Sequence, residues 1–202
     1  MSVINGDKLS QYKESIIWVK QHLDGLTLAE PCKSSYLSAA CLHTSIEHGI
    51  AILVLVDEEL YGSALALIRP QFEAYVRGMW LAQCAGNSEV DRAGHDDFPA
   101  INSMIASLEK PGLLDSALLS TIKRDAWKPL NSLTHTGYQQ IGPRLNKEGI
   151  GSHFDDNQTR VALNWAEALT ILCVVAFAGL AKDDQLAFAA LEHFHCQCTP
   201  QH

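Results

Sequence analysis

Apolar residues recur along this chain at the three- and four-residue steps of helix faces, and no stretch alternates long enough to make a convincing strand. Residues 8–23 put Leu9, Tyr12, Ile16, Val19 and Leu23 on one stripe, which predicts an amphipathic helix stopped by Gly25. A second helix is expected over 34–56. Its latter half, 50–56, is apolar and β-branched enough to pass for a strand, but no turn chemistry divides it from the helical pattern before it. Asp57-Glu58-Glu59 closes it and suits the N-terminus of a third helix over 60–86. Short helices are expected at about 87–92, capped by Asn87-Ser88, and at about 100–108. Lys110-Pro111-Gly112 breaks the chain. The next helix begins near Leu113 and is interrupted or kinked at Pro129, and residues 142–156 read as an irregular loop. Asp156 or Asn157 caps the last long helix, 157–181, and Asp183 opens a final short one reaching His195. The pattern predicts an all-α, single-domain bundle of about five to seven helices over residues 1–202, with 34–56, 60–86 and 157–181 at its centre. The ends, 1–6 and 196–202, are expected to be loose.

The third helix is too apolar for an exposed face, yet it carries Arg69, Glu73 and Arg77, each four residues from the next. That spacing stacks all three on one face and lets Glu73 pair with either arginine. Pro70 beside them removes the hydrogen bond to the carbonyl of Ala66 and favours a kink. As a site, this face would recognise an anion, with Glu73 orienting an arginine toward a phosphate or carboxylate. As structure, it is a salt-bridge ladder tying the helix to its neighbours.

A second polar cluster is Asn131-Ser132-Leu133-Thr134-His135-Thr136-Gly137. Hydroxyl and amide neighbours can fix the tautomer of His135, which makes it the proton-transfer candidate, with Asn131 and Thr134 as ligand contacts. The plainer reading is a helix C-terminus whose hydroxyls satisfy carbonyls, with Gly137 as a left-handed cap. His43-Thr44-Ser45-Ile46-Glu47-His48 is one residue off the spacing of zinc-protease helices. The ending His193-Phe194-His195-Cys196-Gln197-Cys198 lacks a second ligand pair. No metal site and no cofactor are therefore expected, and no phosphate-loop, dinucleotide or nucleophile-elbow motif is present.

Charge changes this picture only locally. The 202 residues carry a net charge of −8, which argues against a nucleic-acid binder. Residues 116–154, however, hold Lys123, Arg124, Lys128, Arg144 and Lys147 against only Asp125 and Glu148. Cys41, Cys84 and Cys173 lie in apolar helical runs and read as buried free thiols. The first residues show no apolar signal core, and the uncharged run 168–181 between Glu167 and Lys182 is short for a membrane span. A cytoplasmic protein without a membrane span is expected.

Two segments, IRPQFEAYVRGMWLAQCA and AWKPLNSLTHTGYQQI, resemble a bacterial family of unknown function, the domain-of-unknown-function 6988 type. The resemblance covers about residues 35–190 and includes Arg69, Pro70, Glu73, Arg77, Trp80, Trp127, Asn131, Thr134, His135 and Gly137. It implies an all-helical fold and bacterial origin, and no established activity. At greater distance the layout is similar to HEPN-type bundles, many of them ribonucleases with an arginine followed four to six residues later by a histidine. No arginine here has a histidine at that spacing. The expectation is a binding or regulatory module with an anion-accepting site of Arg69, Glu73, Arg77, Asn131 and Thr134 beside His135. A HEPN-like ribonuclease or RNA-binding protein, and a metal or small-molecule enzyme, are the alternatives. A homodimer is expected from the apolar surface of several helices, with an anionic small ligand or RNA as the partner.

Overall fold

Helices form where the apolar spacing places them, in the order α1 (Val3–Leu23), α2 (Lys33–Asp57), α3 (Tyr61–Gln83), α4 (Asn87–Ala93), α5 (Ile101–Leu108), α6 (Leu118–Thr134), α7 (Tyr138–Ile141), α8 (Asp156–Ala181) and α9 (Asp184–Cys198). The computed structural model describes residues 3–110, 117–147 and 149–198. Between α7 and α8 a 3-10 turn, Gly142–Arg144, leads into β1 (Leu145–Asn146) and β2 (Gly149–Ile150), paired antiparallel with Leu145 opposite Ile150.

The frame is the antiparallel hairpin of α2 and α3, which pack along their lengths. Ser34, Ser38 and Ser45 of α2 donate hydroxyl protons to the carbonyls of Leu81, Gly78 and Gln71 on α3. Partner numbers fall as serine numbers rise, which is the antiparallel register. Ser38 and Ser45 are fully buried, so each hydroxyl needs the acceptor it finds. Glycine permits the close approach: a Cβ on Gly78 would meet Leu42 at 2.8 Å and the Ser38 carbonyl at 3.2 Å. Cys32 starts α2, its Sγ accepting from the Ser35 amide at 3.5 Å. Against this hairpin lies α8, with α1 and α9 packed on α8, and α5 and α6 packed on α3. Buried apolar side chains form one cluster around Leu42, Phe72, Trp80 and Val174 and another around Tyr12, Ile52, Ile68 and Leu163.

A polar seam runs through the centre. The Tyr12 hydroxyl lies 2.9 Å from Thr170 Oγ1, which donates to the Ala166 carbonyl at 2.8 Å, so Tyr12 is the donor to Thr170. Burial pushes the Tyr12 hydroxyl far above the usual phenol range and keeps its proton in place. Gln71 Nε2 donates to the same Ala166 carbonyl at 3.0 Å, while its buried Oε1 has no partner. These three side chains converge on Gly49, where a Cβ would lie 2.4 Å from Thr170 Oγ1, 2.6 Å from Tyr12 Oη and 2.8 Å from Gln71 Nε2.

The same seam buries Glu167 completely. Its carboxylate is held by the Lys8 ammonium, by Gln11 Nε2 at 3.3 Å and by the Ser15 hydroxyl at 2.7 Å, all from α1. Such a carboxylate is tolerated only because it is paired and bonded on several sides. Ser15 Oγ also lies 3.1 Å from His193 Nε2, and the His193 ring stacks on Trp18 at 4.7 Å. By length and composition α2 and α8 could cross a membrane; in the bundle both are central helices, and α8 carries Glu167 at its midpoint.

Several expectations are corrected. The described residues hold nine α-helices, more than five to seven; the single turn α7, between the Gly137 corner and the 3-10 turn, is one that was not expected. Residues 3–6 belong to α1, and the final helix runs on to Cys198; residues 199–202 lie outside the described residues. The expected helix start near Leu113 also lies outside them, and the described helix begins at Leu118. The loop over 142–156 contains the small hairpin. Asp155 caps α8, accepting from the Gln158 amide at 2.7 Å, and Gly86 rather than Asn87 precedes α4.

Gly49→Ala is expected to destabilise the fold by about 1–3 kcal/mol, because three polar side chains must move to admit one methyl; an unchanged melting temperature would show that the seam is loose. Burial holds the imidazoles of His48 and His193 below their ordinary value of 6.5, with a nearby carboxylate opposing it in each case. Neutral imidazole is thus favoured in the fold. Its contribution is complete above that value and is lost as pH falls below it. Denaturation midpoints are expected to drop as pH falls below about 6.5, and His48→Gln or His193→Gln to flatten the drop.

Candidate functional site

Pro70 has no N–H to offer, so the carbonyl of Ala66 lacks its helical partner. The Thr134 hydroxyl, at the end of α6, fills the place: it lies 3.2 Å from the Ala66 carbonyl and 2.9 Å from that of Leu130 in its own helix. One proton is shared between two acceptors, and the end of α6 is pinned to α3 at Ala66.

That crossing sets two ladders face to face. On α3 stand Arg69, Glu73 and Arg77; on α6 and its cap stand Lys123, Trp127, Asn131 and His135, also spaced by four. Arg69 lies between them. Its Nε donates to Glu73 Oε1 at 2.8 Å, and its Nη1 donates to Asn131 Oδ1 and to His135 Nε2, the latter at 3.0 Å. The guanidinium carbon sits 4.5 Å from the Trp127 ring centre, and Lys123 Nζ sits 4.6 Å from the same ring. Trp127 is braced edge-to-face by Phe72 at 6.3 Å. Burial depresses the Lys123 ammonium below its usual range, Arg69 adds to this and Glu73 opposes it. Side chains of Arg69 and Glu73 are only 19% and 24% exposed, which places the pair well inside the screening that weakens surface ion pairs.

A guanidinium only donates, so Nε2 of His135 is the acceptor and the ring proton sits on Nδ1. The exposed imidazole therefore turns an N–H to solvent. The turn after it is fixed by sterics. Thr136 takes the left-handed backbone at φ 56°, and Gly137 is extended at φ −78°, so Thr136 and not Gly137 is the left-handed residue. Glycine is required at 137 for space, because a Cβ would stand 2.4 Å from Ser132 Oγ.

Arg77 stands apart from this network. Glu73 pairs with Arg69 alone, and the Arg77 guanidinium lies 4.7 Å over the Phe98 ring with its buried Nε unpartnered. Arg69, Glu73 and Arg77 nevertheless line one cleft of about 360 Å³, closed on its other side by Phe98, Ala100 and Ile101. An adjoining groove of about 630 Å³ between α5 and α6 is lined by Asn102, Lys123, Arg124, Trp127, Lys128 and Asn131.

Of the residues singled out in the sequence, Glu73, Asn131 and His135 each come within bonding distance of Arg69. Thr134 adjoins them with its proton committed to carbonyls. His43 lies elsewhere, in a cleft between α1 and α2. His193 of the ending faces Ser15 and Trp18 rather than Cys196. Sequence reasoning passed over the second ladder, although its four-residue spacing was there to be counted, and it passed over Glu167, whose burial depends on α1.

An all-helical bundle with one arginine-centred polar face is the class that this fold and this geometry define. Within it, the chain belongs to the family of unknown function DUF6988, whose sequence model matches residues 42–201. Comparison with curated proteins and with solved structures gives no match.

Thr134→Val is expected to lower stability by about 1–2 kcal/mol by leaving the Ala66 carbonyl without a donor, and Thr134→Ser to retain most of it. Equal stability of the two variants, measured by denaturant titration, would mean that water replaces the hydroxyl.

Proposed function

We propose that this chain is a binding module that accepts an oxyanion, a phosphate or carboxylate group, at Arg69. The observation that carries the reading is the fixed guanidinium. Three side chains from two helices hold Nε and Nη1, a tryptophan ring covers the plane, and Nη2 has no protein partner among the described residues. A cation held in this way loses little freedom on meeting an anion, and a planar fork suits a carboxylate or phosphate edge. The groove beside it adds Lys123 and Lys128. Binding is favoured over catalysis because the lone pair of His135 is engaged by Arg69, which leaves the imidazole as a hydrogen-bond donor to the ligand. A homodimer is part of the same reading, supported by the exposed apolar side chains of Tyr138, Leu145 and Ile150 around the hairpin.

One contact supports a second reading, acid–base cleavage of RNA. Arg69 Nη1 and His135 Nε2 are 3.0 Å apart. A phosphodiester that took over Nη1 would free the lone pair of His135 next to the bound phosphate, the position a general base requires.

Both readings are tested by measuring RNA binding, RNA cleavage and inorganic phosphate binding for wild type, Arg69→Met and His135→Ala, at low and moderate salt, with folding checked by circular dichroism. The binding reading expects Arg69→Met to weaken anion binding about ten- to a hundredfold and His135→Ala, which removes one donor and one brace of Arg69, to weaken it by a smaller factor. Cleavage that disappears in a folded His135→Ala protein would replace it with the nuclease reading. Absence of any anion binding would leave the ladders as structural glue.

A further inference from the structure

We infer that the ligand carries more than one anionic group and that Arg77 holds the second, which makes a linear oligophosphate the class of molecule the site fits. The inference rests on the anion-accepting reading of Arg69 and extends it along the same helix.

Arg77 is a cation without a counter-ion. No carboxylate pairs with it among the described residues, its Nε–H is buried without an acceptor, and its guanidinium lies over the Phe98 ring, 4.7 Å away. A partly buried guanidinium in this state weakens the fold, because desolvation is not offset by pairing. Glu73 sits one turn away and is turned to Arg69 instead. The aromatic shelf fixes the plane of the guanidinium while leaving its edge to the cleft, an arrangement that serves recognition better than stability.

The opposite wall supplies partial positive charge. The first turn of α5 meets the cleft at Ala100 and Ile101, and its capping position, Ala100, has no side-chain acceptor for the free amides. The positive end of a helix thus lies across from Arg77. Of the two acids in the lining, Glu73 is neutralised by Arg69, while Asp96 stands exposed at the rim. Arg69 and Arg77 are eight residues apart on one helix, a rise of about 12 Å. Arg69 is held over Trp127 and Arg77 over Phe98, so with each guanidinium kept at its own ring a chain of phosphates can meet the two in turn, and its remainder can pass the end of α5 into the groove with Lys123 and Lys128.

The test is isothermal titration of the full chain with orthophosphate and with tripolyphosphate, for wild type, Arg77→Met, Arg77→Lys and Asp96→Asn, with thermal melts in parallel. Wild type is expected to prefer tripolyphosphate by about tenfold or more, the worth of an added charge-assisted pair. Arg77→Met should melt at the same or a higher temperature, lose the preference, and keep whatever orthophosphate binding Arg69 provides. Arg77→Lys should restore part of the preference and Asp96→Asn should increase it. A preference that survives in Arg77→Met, or equal binding of the two probes to wild type, overturns the inference while leaving Arg69 as an anion site. Failure of both probes to bind wild type overturns both readings. A single-stranded RNA that binds through Arg77 where tripolyphosphate does not overturns the oligophosphate class in favour of a nucleic acid.

Discussion

A carbonyl deprived of its hydrogen bond is the constraint on which the site depends. Pro70 frees the carbonyl of Ala66 in the interior of α3, and a freed carbonyl at that depth must find a donor. The donor is Thr134, sixty-eight residues further on, and the bond fixes where α6 crosses α3. Every other contact of the site follows from that crossing. Asn131 and His135 lie one turn before and just after Thr134, so they arrive beside Arg69, and Trp127 arrives over its guanidinium. The plain and the functional readings of Thr134 are therefore not rivals. By satisfying a backbone group it assembles the polar face.

The helical architecture was legible because it needs only local information. Periodicity and the Gly25 stop each act within a few residues, and the central helices α2, α3 and α8 fall close to their expected bounds. What was not legible was pairing at long range. Glu73 had two arginines at equal spacing, and nothing in the sequence chose between them; the choice is made by Asn131 and His135, which fix Arg69, and by Phe98, which takes Arg77. Glu167 read as the polar boundary of an apolar run, yet it is fully buried because α1 brings Lys8, Gln11 and Ser15 to it. Gly137 was misassigned because a glycine after a helix usually takes the left-handed conformation; here the crowding of Ser132 demands glycine for a different reason.

The polar seam and the polar face answer different needs. In the seam every group but one finds a partner within the fold, the exception being Gln71 Oε1, and satisfied networks of this kind specify a unique arrangement. On the face, donors outnumber acceptors and Arg77 is left over. The family match begins inside α2, at residue 42, so the face lies wholly within the matched region while α1, which satisfies the seam, lies outside it.

The serine-to-carbonyl contacts between α2 and α3 have a mechanical consequence. Sliding α3 by one residue would leave the hydroxyls of Ser34, Ser38 and Ser45 facing the wrong backbone atoms at once, so axial slip of the hairpin is blocked at three points. The α3 ladder is then a stationary jaw. The opposite jaw, α6, is joined to it by the shared Thr134 proton, by the partners of Arg69 and by the Phe72–Trp127 ring contact, so the cleft has one wall registered along its axis by backbone acceptors and another held by side chains.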